Sequence, residues 1–281
     1  SKPERGAPPR IIALANQKGG VGKTTTAVNL ATALSAEHRV LLVDLDPQGN
    51  ASTGLGVPRA ERETGAYAML IEGAWLQDVA RGTRVPNLSL VPADPDLAGA
   101  EVELVGHRNR ERRLGQCFQA SPEALLEYDY VFLDCPPSLG LLTINAMTAV
   151  DEVLIPIQCE YYALEGVGQL LGNIGMIREH LNHNLHISAI LLTMYDARTR
   201  LAADVAEEVR GQFGQVVLNN VIPRSVKVSE APGYGQTVID YDPGSRGALA
   251  YFDAAKELAL RGDYQPHPTT GPIGVSPEVY N

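Results

Sequence analysis

The sequence predicts an α/β fold: a single doubly wound, mostly parallel sheet flanked by helices. Three observations predict it. Apolar runs such as 40–43 and 130–133 are continuous rather than alternating, as in strands buried on both faces. Segments with helical spacing of apolar residues separate these runs. A Gly-rich turn joins the first run to the first helical segment, and in such sheets ligands bind beyond the carboxyl ends of the strands.

Strands are expected at 10–16, 39–44, 88–92, 130–134, 152–157, 187–193 and 216–222, for a sheet of about seven or eight. The first helix is expected at 24–36, where Ala27, Leu30, Ala31 and Leu34 recur at helical spacing. Further helices are expected at 63–71, 97–118, 139–149, 164–181, 201–213 and 245–260. The basic run 107–113 (HRNRERR) reads as a solvated face within one of them. Residues 1–9 read as a flexible N-terminal segment and 10–261 as one domain. Residues 262–281, with four prolines and three glycines, read as a flexible tail.

A chain of 281 residues suits one large α/β domain. No apolar run approaches the roughly 20 residues that span a bilayer. The polar, Pro-containing start is not a secretory signal. Cys117, Cys135 and Cys159 show no paired metal spacing, and such sparse cysteines fit a reducing, cytoplasmic compartment. A net charge of −10 excludes a whole-molecule basic field for nucleic acid. DNA contact would need a local patch, doubled in a dimer. His107, His180, His183 and His186 cluster loosely; 180–184 reads as a helix end and turn, with a metal site there as the less favoured alternative.

Residues 17–24 (QKGGVGKT) lie between the first strand and the first helix, the context of a phosphate-binding loop. Glycines let the backbone curl so that N–H groups at Gly19, Gly20, Val21 and Gly22 face phosphate oxygens, helped by the helix N-terminus. Lys23 is expected at the β- and γ-phosphates, the Thr24 hydroxyl on Mg²⁺, and Thr25 at the α-phosphate. Gln17 stands where the ordinary template has glycine, and Lys18 follows it. This K-G-G-x-G-K-T arrangement is the deviant Walker A form.

A nucleotide hydrolase also needs carboxylates to hold Mg²⁺ and place a water. Asp44 and Asp46 end one expected strand, two residues apart and on one side of it. Pro47 and Gly49 then break the strand into a loop. Asp134 ends the apolar run 130–134, the position of a Walker B acid, with an expected contact to Mg²⁺ through water.

The stretches 16–31, 40–52, 132–146, 156–166, 191–201 and 221–235 resemble the ParA/Soj chromosome- and plasmid-partition ATPases. The resemblance runs from about residue 10 to 261. It implies a P-loop ATPase with ATP and Mg²⁺ as cofactors, acting as an ATP-dependent sandwich homodimer. It also implies non-specific DNA binding and slow hydrolysis stimulated by a ParB-type partner. Lys18 resembles the signature lysine that crosses into the partner's site, and Gly19 sits at the tight point of that interface. Asp46 is similar to the family's water-positioning carboxylate and also belongs with Thr24 and Asp134 in the expected metal set. Glu160 resembles a residue contacting nucleotide across the dimer. Met194, Tyr195 and Pro223 match the border of the adenine pocket. Arg198, Arg224 and Lys227 match positions serving DNA, although by composition alone they are ordinary surface charges. The implied location is cytoplasmic, on the nucleoid when ATP-bound.

A MinD-like membrane cycle needs a basic amphipathic C-terminal helix, and beyond Leu260 only Arg261 is basic. No stable membrane anchoring is therefore expected. An iron–sulfur reductase or scaffold would need a paired cysteine motif. No helix-turn-helix segment precedes the first strand, so operator binding is not expected. The alternative left open is a related cargo-positioning or MinD-like ATPase acting on a protein or membrane target.

Overall fold

Six of the seven expected apolar runs fold as strands of one sheet in the computed structural model, which describes residues 7–16 and 21–262. They are β1 (Arg10–Leu14), β2 (Val40–Asp44), β4 (Leu88–Val91), β5 (Tyr130–Asp134), β6 (Glu152–Gln158) and β7 (His186–Thr193), with a short β3 (Arg81–Gly82) added. The order is β3-β4-β2-β5-β1-β6-β7. Every neighbouring pair is parallel except β3–β4.

Helices cover both faces. In chain order they are α1 (Val21–Ser35), α2 (Asn50–Gly54), α3 (Ala66–Glu72), α4 (Leu76–Val79), α5 (Ala100–Leu104), α6 (Arg113–Ala120) and α7 (Pro122–Leu125). There follow α8 (Leu141–Ala149), α9 (Glu165–His180), α10 (Arg200–Phe213), α11 (Val226–Glu230), α12 (Val238–Tyr241) and α13 (Arg246–Leu260). Strand alternation splits the core into two layers. Ile12, Leu14 and Phe132 face α1 and α13, meeting Leu30 and Tyr251. Ala13, Val131 and Leu133 face the other side, meeting Met69, Met147 and Ile174.

Two expected elements are corrected. The 216–222 run is no strand. It meets β7 at one isolated bridge, Val217 with Ile190, and through Leu218 N to Ile190 O and Ile222 N to Leu192 O, both at 2.8 Å; a second bridge, Pro223 with Tyr195, lies just beyond both segments. The reason is local: Glu257 of α13 accepts from Asn219 N at 2.7 Å and Asn220 N at 2.9 Å. Those two backbone donors are satisfied by a carboxylate, so a continuous ladder is not required.

The single helix expected at 97–118 is broken in the middle. A 3₁₀ turn at Pro95–Gly99 leads into α5, and α6 starts only at Arg113. The basic run is the intervening turn rather than a helix face, and Asn109 there has φ +53°, a left-handed value that asparagine tolerates. Asn145 of α8, fully buried, fastens this break. Its Nδ2 donates to Arg110 O at 2.7 Å and Leu141 O at 2.8 Å, and its Oδ1 accepts from Leu114 N at 3.1 Å. The terminal segments expected at 1–9 and 262–281 fall mostly outside the described residues.

Asn145→Leu keeps the volume and strands these partners. It is expected to cost about 1–3 kcal/mol, read as a lower midpoint in urea unfolding. An unchanged midpoint would show that the 105–112 turn is held elsewhere.

Candidate functional site

Parallel pairing brings three strand ends together. Asp134, the last residue of β5, pairs in register with Leu14 of β1 on one side and Asp44 of β2 on the other. The chain leaves β1 through 17–20 and returns as α1, so the start of α1 lies above Asp134. Lys18, Gly19 and Gly20 fall outside the described residues, as does the side chain of Val21.

Lys23 and Thr24 in the first turns of α1 both reach Asp134. The Lys23 ammonium donates to Asp134 Oδ1, and both side chains are fully buried. The Thr24 hydroxyl donates to Asp134 Oδ2 at 3.0 Å. Burial works against the Lys23 charge, but the adjacent Asp134 carboxylate outweighs it and holds the lysine pKa above its ordinary value. Thr25 is buried beside them, and its carbonyl accepts from Asn29. Gly22 approaches the end of β6 so closely that a Cβ there would lie 2.7 Å from Gln158 Nε2.

The two β2 carboxylates have different surroundings. Asp44 is fully buried. Its Oδ2 accepts from Ser52 N at 2.9 Å and Ser52 Oγ at 2.7 Å, and its Oδ1 accepts from Asp46 N at 3.2 Å. It thus caps α2 from outside the helix, where Gly49 offers no side-chain cap. Burial, and then the neighbouring Asp134 charge, push its pKa up to about 7 against the pull of Ser52. Asp46 is also buried, and burial raises its pKa. Its only side-chain bond among the described residues is from Gln48 N, at 3.0 Å.

The oxygen donors fit a hard divalent cation beside phosphate, namely the Thr24 hydroxyl with the Asp46 and Asp134 carboxylates near it. Among the described residues no group of three or more His, Cys, Asp or Glu forms a self-contained metal cage.

Other expected residues fall into two groups. Glu160 lies just past β6 and lines a small cleft with Asn16, Gln158 and Gly166. Tyr195 and Pro223 are brought side by side: Tyr195 N donates to Ile222 O at 3.0 Å and Arg224 N to Tyr195 O at 2.9 Å. Met194 precedes them at φ +54°, a conformation uncommon for a non-glycine residue. Arg198 and Arg224 flank Asp196. Arg198 donates to both Asp196 oxygens at 3.0 Å and holds that carboxyl down to about 2, with Arg224 adding to it. Lys227 on α11 lies 5.7 Å from the centroid of the Tyr241 ring, and Tyr241 stacks on exposed Tyr234.

Sequence reasoning passed over Ser52 and Arg62. Ser52 joins two strand ends, because its hydroxyl donates to Asp44 and accepts from Ala93 N at 3.1 Å. Arg62 is a charged residue only 2% exposed. Nothing in composition or periodicity marks either one.

Comparison with known proteins agrees with this site. A family model described as an AAA domain matches residues 9–187. The chain is 54% identical over 254 residues to the sporulation initiation inhibitor protein Soj of Bacillus subtilis, covering 90% of this chain and 99% of that protein. It is 51% identical over 253 residues to the chromosome partitioning protein ParA of Myxococcus xanthus, covering 90% and 88%. Cobyrinic acid a,c-diamide synthase from Mycobacterium smegmatis, solved with bound ADP and magnesium, matches with a TM-score of 0.78 at 36% identity. That match covers 91% of this chain and 97% of the other.

The raised Asp44 pKa makes stability depend on pH. The folded state holds a proton that an unfolded aspartate, titrating near 3.8, releases before the folded one does near 7. Its contribution to stability therefore falls as pH rises between those values and is flat above. In thermal melts of the nucleotide-free protein, Asp44→Asn is expected to flatten this part of the pH profile. An identical slope in the variant would place the titration elsewhere.

Proposed function

Because the chain belongs to the ParA/Soj family of partition ATPases, we propose that it is an ATP-gated DNA-binding dimer that segregates chromosome or plasmid DNA. One observation carries the reading: the buried Lys23–Asp134–Thr24 cluster at the start of α1, with Asp46 buried nearby. It sets one lysine at the start of a helix beside a hydroxyl and carboxylates able to hold a divalent cation, the parts that a magnesium–polyphosphate site combines. The neighbour from M. smegmatis was solved with ADP and magnesium, and the same ligand classes are proposed here.

Lys23 exchanges the Asp134 carboxylate for phosphate oxygens, so its positive charge is compensated in both states. Backbone N–H groups from Gly19 to Thr24 receive the remaining phosphate charge. Magnesium, when bound by the Thr24 hydroxyl with Asp46 and Asp134 beside it, offsets charge on the phosphates. Asp46 orients the attacking water. Thr25 completes the phosphate contacts, and Met194, Tyr195 and Pro223 border the adenine.

Lys18 reaches the γ-phosphate of the partner protomer, Gly19 permits the close approach, and Glu160 contacts nucleotide across the interface. ATP then acts as glue, and its hydrolysis removes the charge that Lys18 recognises, so the dimer loosens. DNA is held through phosphates by Arg198, Arg224 and Lys227. Asp196 pairs with Arg198, and a dimer doubles the number of phosphate contacts. A ParB-type partner accelerates hydrolysis, and the protein works in the cytoplasm on the nucleoid. Among the described residues no helix is long and apolar enough to cross a membrane.

Lys23→Ala is expected to abolish binding of a fluorescent ATP analogue; normal affinity would remove the P-loop assignment. DNA retention measured without nucleotide, with ADP and with ATP across a salt series is expected only with ATP, falling steeply with salt. Arg198→Glu is expected to weaken it while ATP-driven dimerisation stays intact. Dimerisation with ATP but no DNA binding in any state would move the cargo to a protein or membrane target.

A further inference from the structure

Arg62 is a buried guanidinium that makes no salt bridge among the described residues; Asp44 is the carboxylate that acts on it, at longer range. It ends the 3₁₀ turn Arg59–Glu61 and is 2% exposed. Burying such a charge is costly unless it is well bonded, and burial lowers its pKa. Neither the fold's apolar layers nor the proposed nucleotide contacts account for it.

Its contacts all return to one segment. Nε and Nη2 both donate to Val57 O, at 2.9 and 2.7 Å, and Nη2 also donates to Thr53 Oγ1 at 2.8 Å. Nη1 lies against Gly49, where a Cβ would come within 2.3 Å of it. Gly49 has φ +67°, so glycine is required there on two counts. One side chain thus touches positions 49, 53 and 57, the start, middle and far end of the stretch around α2.

That stretch is tied to Asp46 at its near end. Gly49 N donates to Asp46 O at 2.8 Å, and Gly49 O accepts from Thr53 N at 3.0 Å. Gln48 N donates to Asp46 Oδ1 at 3.0 Å. Asp44 holds the first turn of α2 through Ser52. Pro47 and Gly49 would otherwise leave a loose turn after β2. Asp44 braces the first turn of α2 from the strand side, and Arg62 braces the stretch at 49, 53 and 57.

We infer that Arg62 is a positioning residue for hydrolysis, a buried strut that fixes the loop carrying Asp46. It acts through that loop and does not touch nucleotide. The inference rests on the proposed role of Asp46 in placing water. A carboxylate displaced by a fraction of an ångström still tolerates bound nucleotide but loses its water geometry.

The test uses the full chain with Mg·ATP and compares Arg62→Met, Arg62→Lys, Thr53→Val and Asp46→Ala. Turnover is measured per bound nucleotide, with affinity for a fluorescent ATP analogue measured separately. Arg62→Met is expected to lower kcat by about tenfold to a hundredfold with KM unchanged. Arg62→Lys is expected to recover part of the loss, and Thr53→Val, which removes one acceptor, to lose less. A merely structural role would lower the melting temperature and the bound fraction without lowering turnover per bound nucleotide. Wild-type turnover in Arg62→Met alongside an inactive Asp46→Ala overturns the inference and leaves the function intact. Full turnover in Asp46→Ala overturns the water-placing role itself, and the strut with it. Should Arg62→Met fail to fold, Thr53→Val decides, and unchanged turnover there overturns the strut.

Discussion

An ammonium and a carboxylate, both wholly removed from water, meet where α1 begins and β5 ends. Burying either alone would cost on the order of several kcal/mol, so each is tolerated because of the other. The Thr24 hydroxyl takes the second oxygen of Asp134, which leaves the carboxylate well bonded. The arrangement requires β1 and β5 to be neighbours in parallel register, with Leu14 opposite Asp134, and α1 to begin above them. The sheet order and the first crossover are thus tied to one ion pair. A lysine held this way is charged before any ligand arrives. That is the property wanted of a residue proposed to receive phosphate.

Setting Asp134 beside Asp44 in the sheet decides what Asp44 can be. Burial, and then repulsion by Asp134 at the neighbouring strand end, makes Asp44 hold its proton more tightly. Its oxygens are spent on Ser52 and on the Asp46 backbone. Asp46, two residues further, keeps fewer bonds among the described residues. Two acids that look alike in the sequence are thus divided into a helix cap and a candidate for placing water.

The same segment faces the proposed DNA surface. Gly235 ends the 3₁₀ turn at Ala231–Tyr234 and comes so close to α2 that a Cβ on it would lie 3.5 Å from Gly56 Cα and Thr53 O. Lys227, Tyr234 and Tyr241 lie on the chain around that turn. The turn next to Lys227 is therefore in contact with the chain at 53–56, the far side of the stretch that follows Asp46. With a net charge of −10 over the chain, the proposed DNA contact rests on a local patch rather than on the field of the whole molecule.

Most of the architecture could be read from the sequence, because burial on both faces writes itself as continuous apolar runs. Six strands and the phosphate-loop context followed from that pattern, and Asp46 and Asp134 were marked by their place at strand ends. The family too was legible, through motifs spread along most of the chain. Tertiary structure alone decided the rest, because those residues answer to partners distant in sequence. The 216–222 run lost its ladder to Glu257 of α13, a residue 37 and 38 positions away from its partners. The 97–118 helix broke at a turn that Asn145 of α8 secures. Ser52 and Arg62 gained their importance from Asp44 and Gly49, around a loop whose shape no periodicity encodes. Local pattern sets which segments bury their faces, while long-range hydrogen bonds and charge neighbours set what each polar residue there can do.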